Sequence, residues 1–248
     1  MVSLLHRFSS SLNPQRGARS ATTSLRAILL SLFMMSATLV SAAATTDYLH
    51  TALGKFSTDV PRNWAYSLTI DREGKKTTEH FDPSKPPAEQ WTLLRIDDRP
   101  ATSKEQEKYF KYKARHSPGA LQATFQKSDI EPGSIKLVSE DADRAEVTCT
   151  FREQSTNADK MLGHLGLRLT INKHQPHVEK SSLSLQAPYS PVLGVKMHEL
   201  VVTTTYLPPT ADRPSLPANS SSRFVGRIFF IPIEENIHFD YFDFTPAP

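Results

Sequence analysis

Apolar and polar residues alternate with a period of two over most of the chain beyond residue 60, as expected for β-strands with one buried face. The clearest such segment, residues 165–171, carries an aliphatic residue at every second position. Similar segments, separated by Gly, Pro, Asp and Asn, predict about ten strands. These strands are expected at residues 64–70, 76–81, 91–96, 134–139, 145–151, 165–171, 178–186, 195–206, 223–231 and 237–244.

Helical patterns are few. Residues 105–115 contain neither Gly nor Pro, and Ser103 with Gln106 fits a capping box that would begin a helix there. A further turn of helix is predicted within residues 156–164, around Met161 and Leu162. The chain is therefore expected to be mainly β with some helix (α+β), and a large twisted sheet, a sandwich and a barrel all fit the strand pattern.

The segment before residue 45 has the order of a secretory signal peptide. Arg26 precedes an apolar run over residues 27–40, and small residues follow at Ala42–Ala44, where cleavage is expected. This divides the chain into a signal peptide, residues 1–44, and one β-rich domain, residues 45–248, that is periplasmic or secreted. An uncleaved leader would be the chain's expected contact with a membrane, and the Arg- and Ser-rich start also fits an organelle presequence.

The leader carries the excess of positive charge. The chain has 29 basic and 26 acidic residues, and four of the basic residues are arginines within residues 1–44. Without those four, 25 basic residues face 26 acidic ones, which gives a net charge near −1. A nucleic-acid partner is not expected, since that function needs a basic stripe on the folded domain.

Cys149 is the only cysteine, so an intramolecular disulfide is excluded. It alternates with Val147 and Phe151, which places it on the buried face of a strand, where a thiol behaves as a small apolar group. No lipid-modified cysteine is expected after the leader. We therefore interpret Cys149 as a core residue.

Motifs for catalysis or metal binding are missing from the sequence. There is no glycine-rich phosphate loop and no Gly-x-Ser-x-Gly nucleophile motif. His174 and His177 are the only closely spaced histidines, and we interpret them as polar turn residues because zinc sites need three or four ligands. No catalytic residue, metal or cofactor is assigned, and the protein is not expected to be an enzyme; a hydrolase stays as a third hypothesis.

Several segments resemble an uncharacterised group of exported proteins from Gram-negative bacteria. They are residues 63–69 (NWAYSLT), 81–86 (FDPSKP), 90–102 (QWTLLRIDDRPAT), 226–230 (GRIFF) and 240–245 (DYFDFT). Their arrangement is similar to the LolA/LolB lipoprotein-carrier fold. The resemblance implies a large curved antiparallel sheet, or half-barrel, with one or two helices packed on it.

Alternating strands with aliphatic and aromatic faces suit a binding protein for a lipid, an acyl chain or another apolar ligand. That is the leading hypothesis, and the alternative is a cell-envelope structural or interaction protein with a filled core, whose partner would be another envelope protein. The residues expected to line a ligand cavity are Trp64, Tyr66, Trp91, Leu167, Leu169, Phe229 and Phe239.

Overall fold

The alternating segments form eleven antiparallel strands in one open sheet in the computed structural model. The structure describes residues 47–115, 125, 127–152 and 159–247. The strands are β1 (Trp64–Arg72), β2 (Lys75–Phe81), β3 (Trp91–Ile96), β4 (Arg99–Pro100), β5 (Lys136–Glu140), β6 (Arg144–Thr150), β7 (Leu165–Asn172), β8 (His177–Leu185), β9 (Val195–Leu207), β10 (Leu216–Ile228) and β11 (Ile231–Pro246).

The strand order is β4-β3-β2-β1-β11-β10-β9-β8-β7-β6-β5. Two consecutive runs of strands, β1 to β4 and β5 to β11, therefore meet where β1 pairs with β11, and β4 and β5 form the two edges. This confirms the predicted mainly β fold with a large open antiparallel sheet of the half-barrel type. The sheet and both described helices belong to one compact unit, Thr46–Pro248.

The predicted charged helix is confirmed as α2 (Ser103–Arg115). Its capping box lies one residue earlier than predicted: the Thr102 amide donates to Glu105 Oε2 at 2.9 Å, and the Glu105 amide donates to Thr102 Oγ1 at 3.4 Å. A second helix, α1, is described over residues 47–55 and was not predicted. Short 3₁₀ helices at Lys127–Asp129, Pro132–Ser134 and Asp159–His164 complete the elements, the last at the predicted helical turn. Across the described residues, no helix is long and apolar enough to span a membrane.

One face of the sheet, called the inner face below, carries the buried side chains. Directly opposed residues share a face, so the register can be followed from Val147 through Leu169 to Ser181 on successive strands. Every second residue of β6 and β7 is buried on this face, as the alternation predicts. The fully or nearly fully buried aliphatic residues here are Ala145, Val147, Leu165, Leu167, Leu169, Ile171, Val178 and Leu183.

The last predicted strands are divided differently in the structure. A single strand was expected over residues 223–231, but β10 ends at Ile228, Phe229 and Phe230 form the turn, and β11 begins at Ile231. Two adjacent phenylalanines in a two-residue turn do not resemble the usual Asn-Gly or Gly-rich turn, so the sequence carries no turn signal at this point. Pro232 is the second residue of β11.

Strands β9, β10 and β11 extend beyond their neighbours. Pairing of β1 with β11 stops at Ile237, and pairing of β8 with β9 stops at Val201. Residues 195–200, 223–228 and 231–236 therefore form a three-stranded projecting arm, flanked by an isolated bridge between Tyr189 and Met197. Six residues at about 3.4 Å each make this arm roughly 20 Å long.

Candidate functional site

The inner face of β6, β7 and β8, the aliphatic half, is sealed by α1 and two phenylalanines. Tyr48 and Ala52 of α1 are buried against this half. Phe56, just after α1, contacts Phe125 at a ring-centroid distance of 6.2 Å, and Phe125 contacts Phe151 at 5.2 Å. The Thr58 hydroxyl donates to the Phe125 carbonyl at 2.8 Å, which joins the two covering segments.

The inner face of β1, β2, β3 and the end of β11 is instead an aromatic half. Tyr66 is its centre, because four rings lie 5.3–6.1 Å from its ring centroid. Aromatic pairs at such distances stabilise each other beyond simple burial. Tyr66 and its four neighbours are all only half-buried, so apolar ring surface is accessible: Phe81, Trp91, Tyr241 and Phe244.

A buried carboxylate lies beside these rings. Glu79 of β2 is only 5% exposed, although it occupies an inner-face position. Two groups of α2 satisfy it: the Tyr109 hydroxyl donates to Glu79 Oε2 at 2.7 Å, and Lys113 Nζ lies 2.9 Å from the same oxygen. The Lys113 ammonium also lies 4.2 Å from the Trp91 ring centroid, a cation–π contact. This polar cluster fixes α2 on the aromatic half.

Between the two halves lies a middle strip of the inner face, formed by β10, β11 and β1. Its register pairs Ser222 with Ile237, and Ser220 with Phe239 and then Ile70. Ser222, Phe239 and Ile70 are half-buried, so this part of the face mixes accessible apolar side chains with hydroxyls. The hydroxyls of Ser220 and Thr204 lie 3.0 Å apart.

Six of the seven predicted cavity residues lie on the inner face, but in different parts of it. Leu167 and Leu169 belong to the sealed aliphatic half, and Leu169 has no exposed surface. The four that lie in the aromatic half or the middle strip are Trp64, Tyr66, Trp91 and Phe239.

Phe229 is the exception and requires a correction. It lies in the β10–β11 turn with 65% of its surface exposed, because the chain reverses there instead of continuing as a strand.

Burial sets the proton chemistry of the inner face. It raises the pKa of the Tyr66 hydroxyl, and burial together with the nearby Glu79 carboxylate raises that of Tyr109. Burial also raises the pKa of the Cys149 thiol to about 11, and the residue is 3% exposed, directly opposite Leu167. The predicted inward position of Cys149 is thus confirmed, and its thiol is poorly suited to act as a nucleophile.

The two closely spaced histidines have ordinary polar partners. His174 is a turn residue as predicted, but the prediction is wrong for His177, which is the buried first residue of β8. His174 Nε2 lies 2.8 Å from Asp143 Oδ1, and His177 Nδ1 lies 2.6 Å from the Gln175 carbonyl. Within the part of the chain that the structure describes, no three His, Cys, Asp or Glu residues are grouped as metal ligands.

The outer face of the sheet carries an open hollow with a mixed polar and apolar lining. Its volume is about 480 Å³, and it lies near the β5 edge. Its polar lining includes Lys136, Thr148, Thr150 and Arg168. Its lining also includes Gly133 and Gly166, and it lies on the face of the sheet opposite the buried side chains.

Sequence reasoning missed Glu79, Lys113 and α1 as parts of the site. Glu79 carried a usable signal: it alternates with Phe81 in β2, which puts its carboxylate on the same face of the strand as an aromatic ring. Residues 47–55 carry apolar residues at Tyr48, Ala52 and Leu53, but the segment is short and directly follows the predicted signal peptide. No protein-family model, curated protein or solved structure matches this chain.

Proposed function

We propose that the chain is a non-enzymatic binding protein of the bacterial envelope whose inner face holds a lipid, an acyl chain or another apolar ligand. The observation that carries the proposal is the half-buried apolar surface of the aromatic half and the middle strip. This surface lies on strands between and beside the two covering helices, so a ligand could reach it without opening the aliphatic half. The LolA-like relationship and the periplasmic location, from the resemblance and the leader, remain predictions within it.

The energetics favour an elongated apolar ligand. Covering exposed apolar surface stabilises a complex by about 25 cal/mol per Å², so an acyl chain lying along Ile70, Phe239 and the aromatic half would gain several kcal/mol in total. Hydroxyl groups at Ser220, Ser222 and Thr204 supply polar partners beside that path. A pocket of mostly apolar walls with a few placed polar groups is the usual chemistry of such sites.

The test is native mass spectrometry of protein purified without detergent from the envelope of its host, together with lipid analysis of the same sample. We expect an added mass that matches a lipid or fatty acid. The S222F variant should lower the bound fraction, because a phenyl ring there occupies the middle strip.

The matched control is S221F, one residue along the same strand. Ser221 is half-buried like Ser222, but it pairs with Thr203 and His238 and points to the outer face. S221F should keep the ligand at the wild-type level. A clean apo mass, with no response from a hydrophobic fluorescent probe, would contradict the proposal, and so would equal losses in both variants at equal stability.

A second candidate is an envelope interaction protein with a filled interior. One observation favours it: α1, Phe56 and Phe125 already fill the aliphatic half with the chain's own side chains. In that case the wild-type protein would show the apo mass, and S222F would lower its stability without changing any bound species.

A further inference from the structure

The projecting arm ends in a patch of bulky apolar side chains. The β10–β11 turn and the loop before β9 lie side by side there, since the Phe229 amide donates to the Gly194 carbonyl at 2.5 Å. Leu193 is 98% exposed and Phe230 is 95% exposed. We call this patch the apolar tip, and its members are Val192, Leu193, Ile228, Phe229, Phe230 and Ile231.

The turn that presents this tip is unfavourable for the fold alone. Phe229 has a φ of 53°, in the left-handed region that bulky residues rarely adopt. The other two-residue turns at the same end of the sheet are polar, Glu73-Gly74 between β1 and β2 and Asp97-Asp98 between β3 and β4. Consecutive exposed apolar residues on a projecting hairpin therefore point to a surface that is covered when the protein works.

The charges around the tip indicate what covers it. Residues 190–197 and 226–233 contain two cations, Lys196 and Arg227, and no acidic residue. These cations occupy paired positions on β9 and β10, just behind the tip. The nearest acids along these strands, Glu199 and Glu234, lie further from the tip, and each is 3.0 Å from Arg223, which compensates one of their two negative charges.

We infer that the apolar tip inserts into the interface of an anionic lipid bilayer, with Lys196 and Arg227 lying against the phosphate groups. The arm ends in phenylalanines, and two cations lie one residue pair behind them. This arrangement matches a bilayer interface, where the acyl region is apolar and the surface above it is anionic. A flat or concave apolar patch would suit a protein partner better. The inference does not depend on whether the inner face binds a ligand.

The experiment uses the full chain carrying F230W and vesicles with brominated acyl chains. The vesicles contain phosphatidylcholine alone or phosphatidylcholine with phosphatidylglycerol. Bromine quenches only nearby tryptophan. The wild-type protein already emits from Trp64 and Trp91, so the difference between the F230W and wild-type emission reports on the apolar tip. We expect this added emission to be quenched by the anionic vesicles and less so by neutral ones.

Two variants in the F230W background then test the parts of the inference. L193S should weaken vesicle binding by about tenfold, because a fully exposed leucine would otherwise enter the acyl region. K196E/R227E should remove the preference for phosphatidylglycerol. V138S is the matched control, since Val138 is an exposed residue of β5 away from the tip, and it should change neither.

Absence of quenching by either vesicle would overturn the inference. Concentration-dependent self-association of the wild type that L193S abolishes, without any quenching, would assign the tip to a second copy of the chain instead. Equal quenching in L193S and its parent would also overturn it. Lipid found bound to the protein by mass spectrometry, with no quenching at F230W, would support the proposed function and contradict membrane insertion of the apolar tip.

Discussion

The two halves of the inner face are built from the same kind of strand but are closed in different ways. In the aliphatic half, α1, Phe56 and Phe125 cover small, regular side chains, and the contact is almost wholly apolar. In the aromatic half, α2 is held by Glu79, Tyr109 and Lys113, and the rings around Tyr66 stay half-buried. Apolar packing buries the side chains of the aliphatic half completely. In the aromatic half, a polar cluster attaches α2 to the sheet but leaves the rings partly exposed.

This difference predicts where stability resides. The aliphatic half should contribute most of the free energy of unfolding, because its side chains are fully removed from water. The aromatic half should contribute less and should open locally at lower free-energy cost, as regions with exposed surface and few buried contacts do. If the halves have different duties, the aliphatic half stabilises the fold and the aromatic half is available to a ligand.

Leu169→Ala should cause the largest loss. Leu169 has no exposed surface, and removing three carbons leaves a cavity that α1 cannot fill, so the free energy of unfolding should fall by about 3–5 kcal/mol. Urea unfolding followed by circular dichroism measures this. The control is Leu94→Ala on β3, where the leucine is exposed and the loss should stay below about 1 kcal/mol. Equal losses would remove the proposed difference between the halves.

Glu79→Gln should have the next largest effect, about 2–3 kcal/mol, because it leaves the largely buried Lys113 ammonium without its counter-charge. Hydrogen exchange should become faster in α2 and stay unchanged in α1. The control on the same helix is Glu107→Gln, whose ion pair with Lys111 is exposed and should contribute less than about 0.5 kcal/mol. Faster exchange in both helices would mean that the two halves open as one unit.

How much of this arrangement could be predicted varies with the kind of pattern. The aliphatic strands were predictable because a strict alternation such as that of β7 fits only a strand with one buried face. The order of strands was not, because pairing β1 with β11 joins residues more than 160 positions apart and leaves no local signal. The helix α1 was missed for a related reason: its stability comes from packing on the sheet rather than from its own sequence.

Candidate site residues were predictable only as far as strand faces were. Trp64, Tyr66, Trp91 and Phe239 lie on the predicted face, since each alternates within a correctly assigned strand. Phe229 does not, because its turn lacks turn residues. The contacts of Glu79 with Tyr109 and Lys113 join β2 to α2, so they depend on tertiary packing that no local pattern encodes.

The reactivity of Cys149 and the effect of replacing it test whether the aliphatic half is closed to solvent. Cys149→Ser should cost about 1–3 kcal/mol, because a buried hydroxyl would lack a partner, and Cys149→Ala should cost less. Burial raises the thiol pKa from 9.0 to about 11, so the thiol contribution to stability is complete below pH 9 and is lost as the pH rises towards 11. Thiol labelling of the native protein at pH 8 should accordingly be slow.

The labelling control is V138C in a Cys149→Ala background, which places a thiol on an exposed position of β5. It should react at the rate of a free thiol. Labelling of native Cys149 at a similar rate would show that the aliphatic half opens readily. The conclusion that α1 keeps this half inaccessible to solvent would then be wrong.

The smallest effect comes from removing one methylene group from each part of the inner face. Ile171→Val, at a fully buried position of the aliphatic half, should lower the free energy of unfolding by about 0.5–1.5 kcal/mol. Ile70→Val, at a half-buried position of the middle strip, should cost less than about 0.5 kcal/mol, because the lost group was already partly in water. Denaturation curves of both variants, repeated on several independent protein preparations, resolve such a difference. If a bound lipid covers Ile70, it buries the methylene group that water otherwise reaches. The losses of unfolding free energy in Ile70→Val and Ile171→Val should then become similar with the lipid bound and differ again after the lipid is extracted.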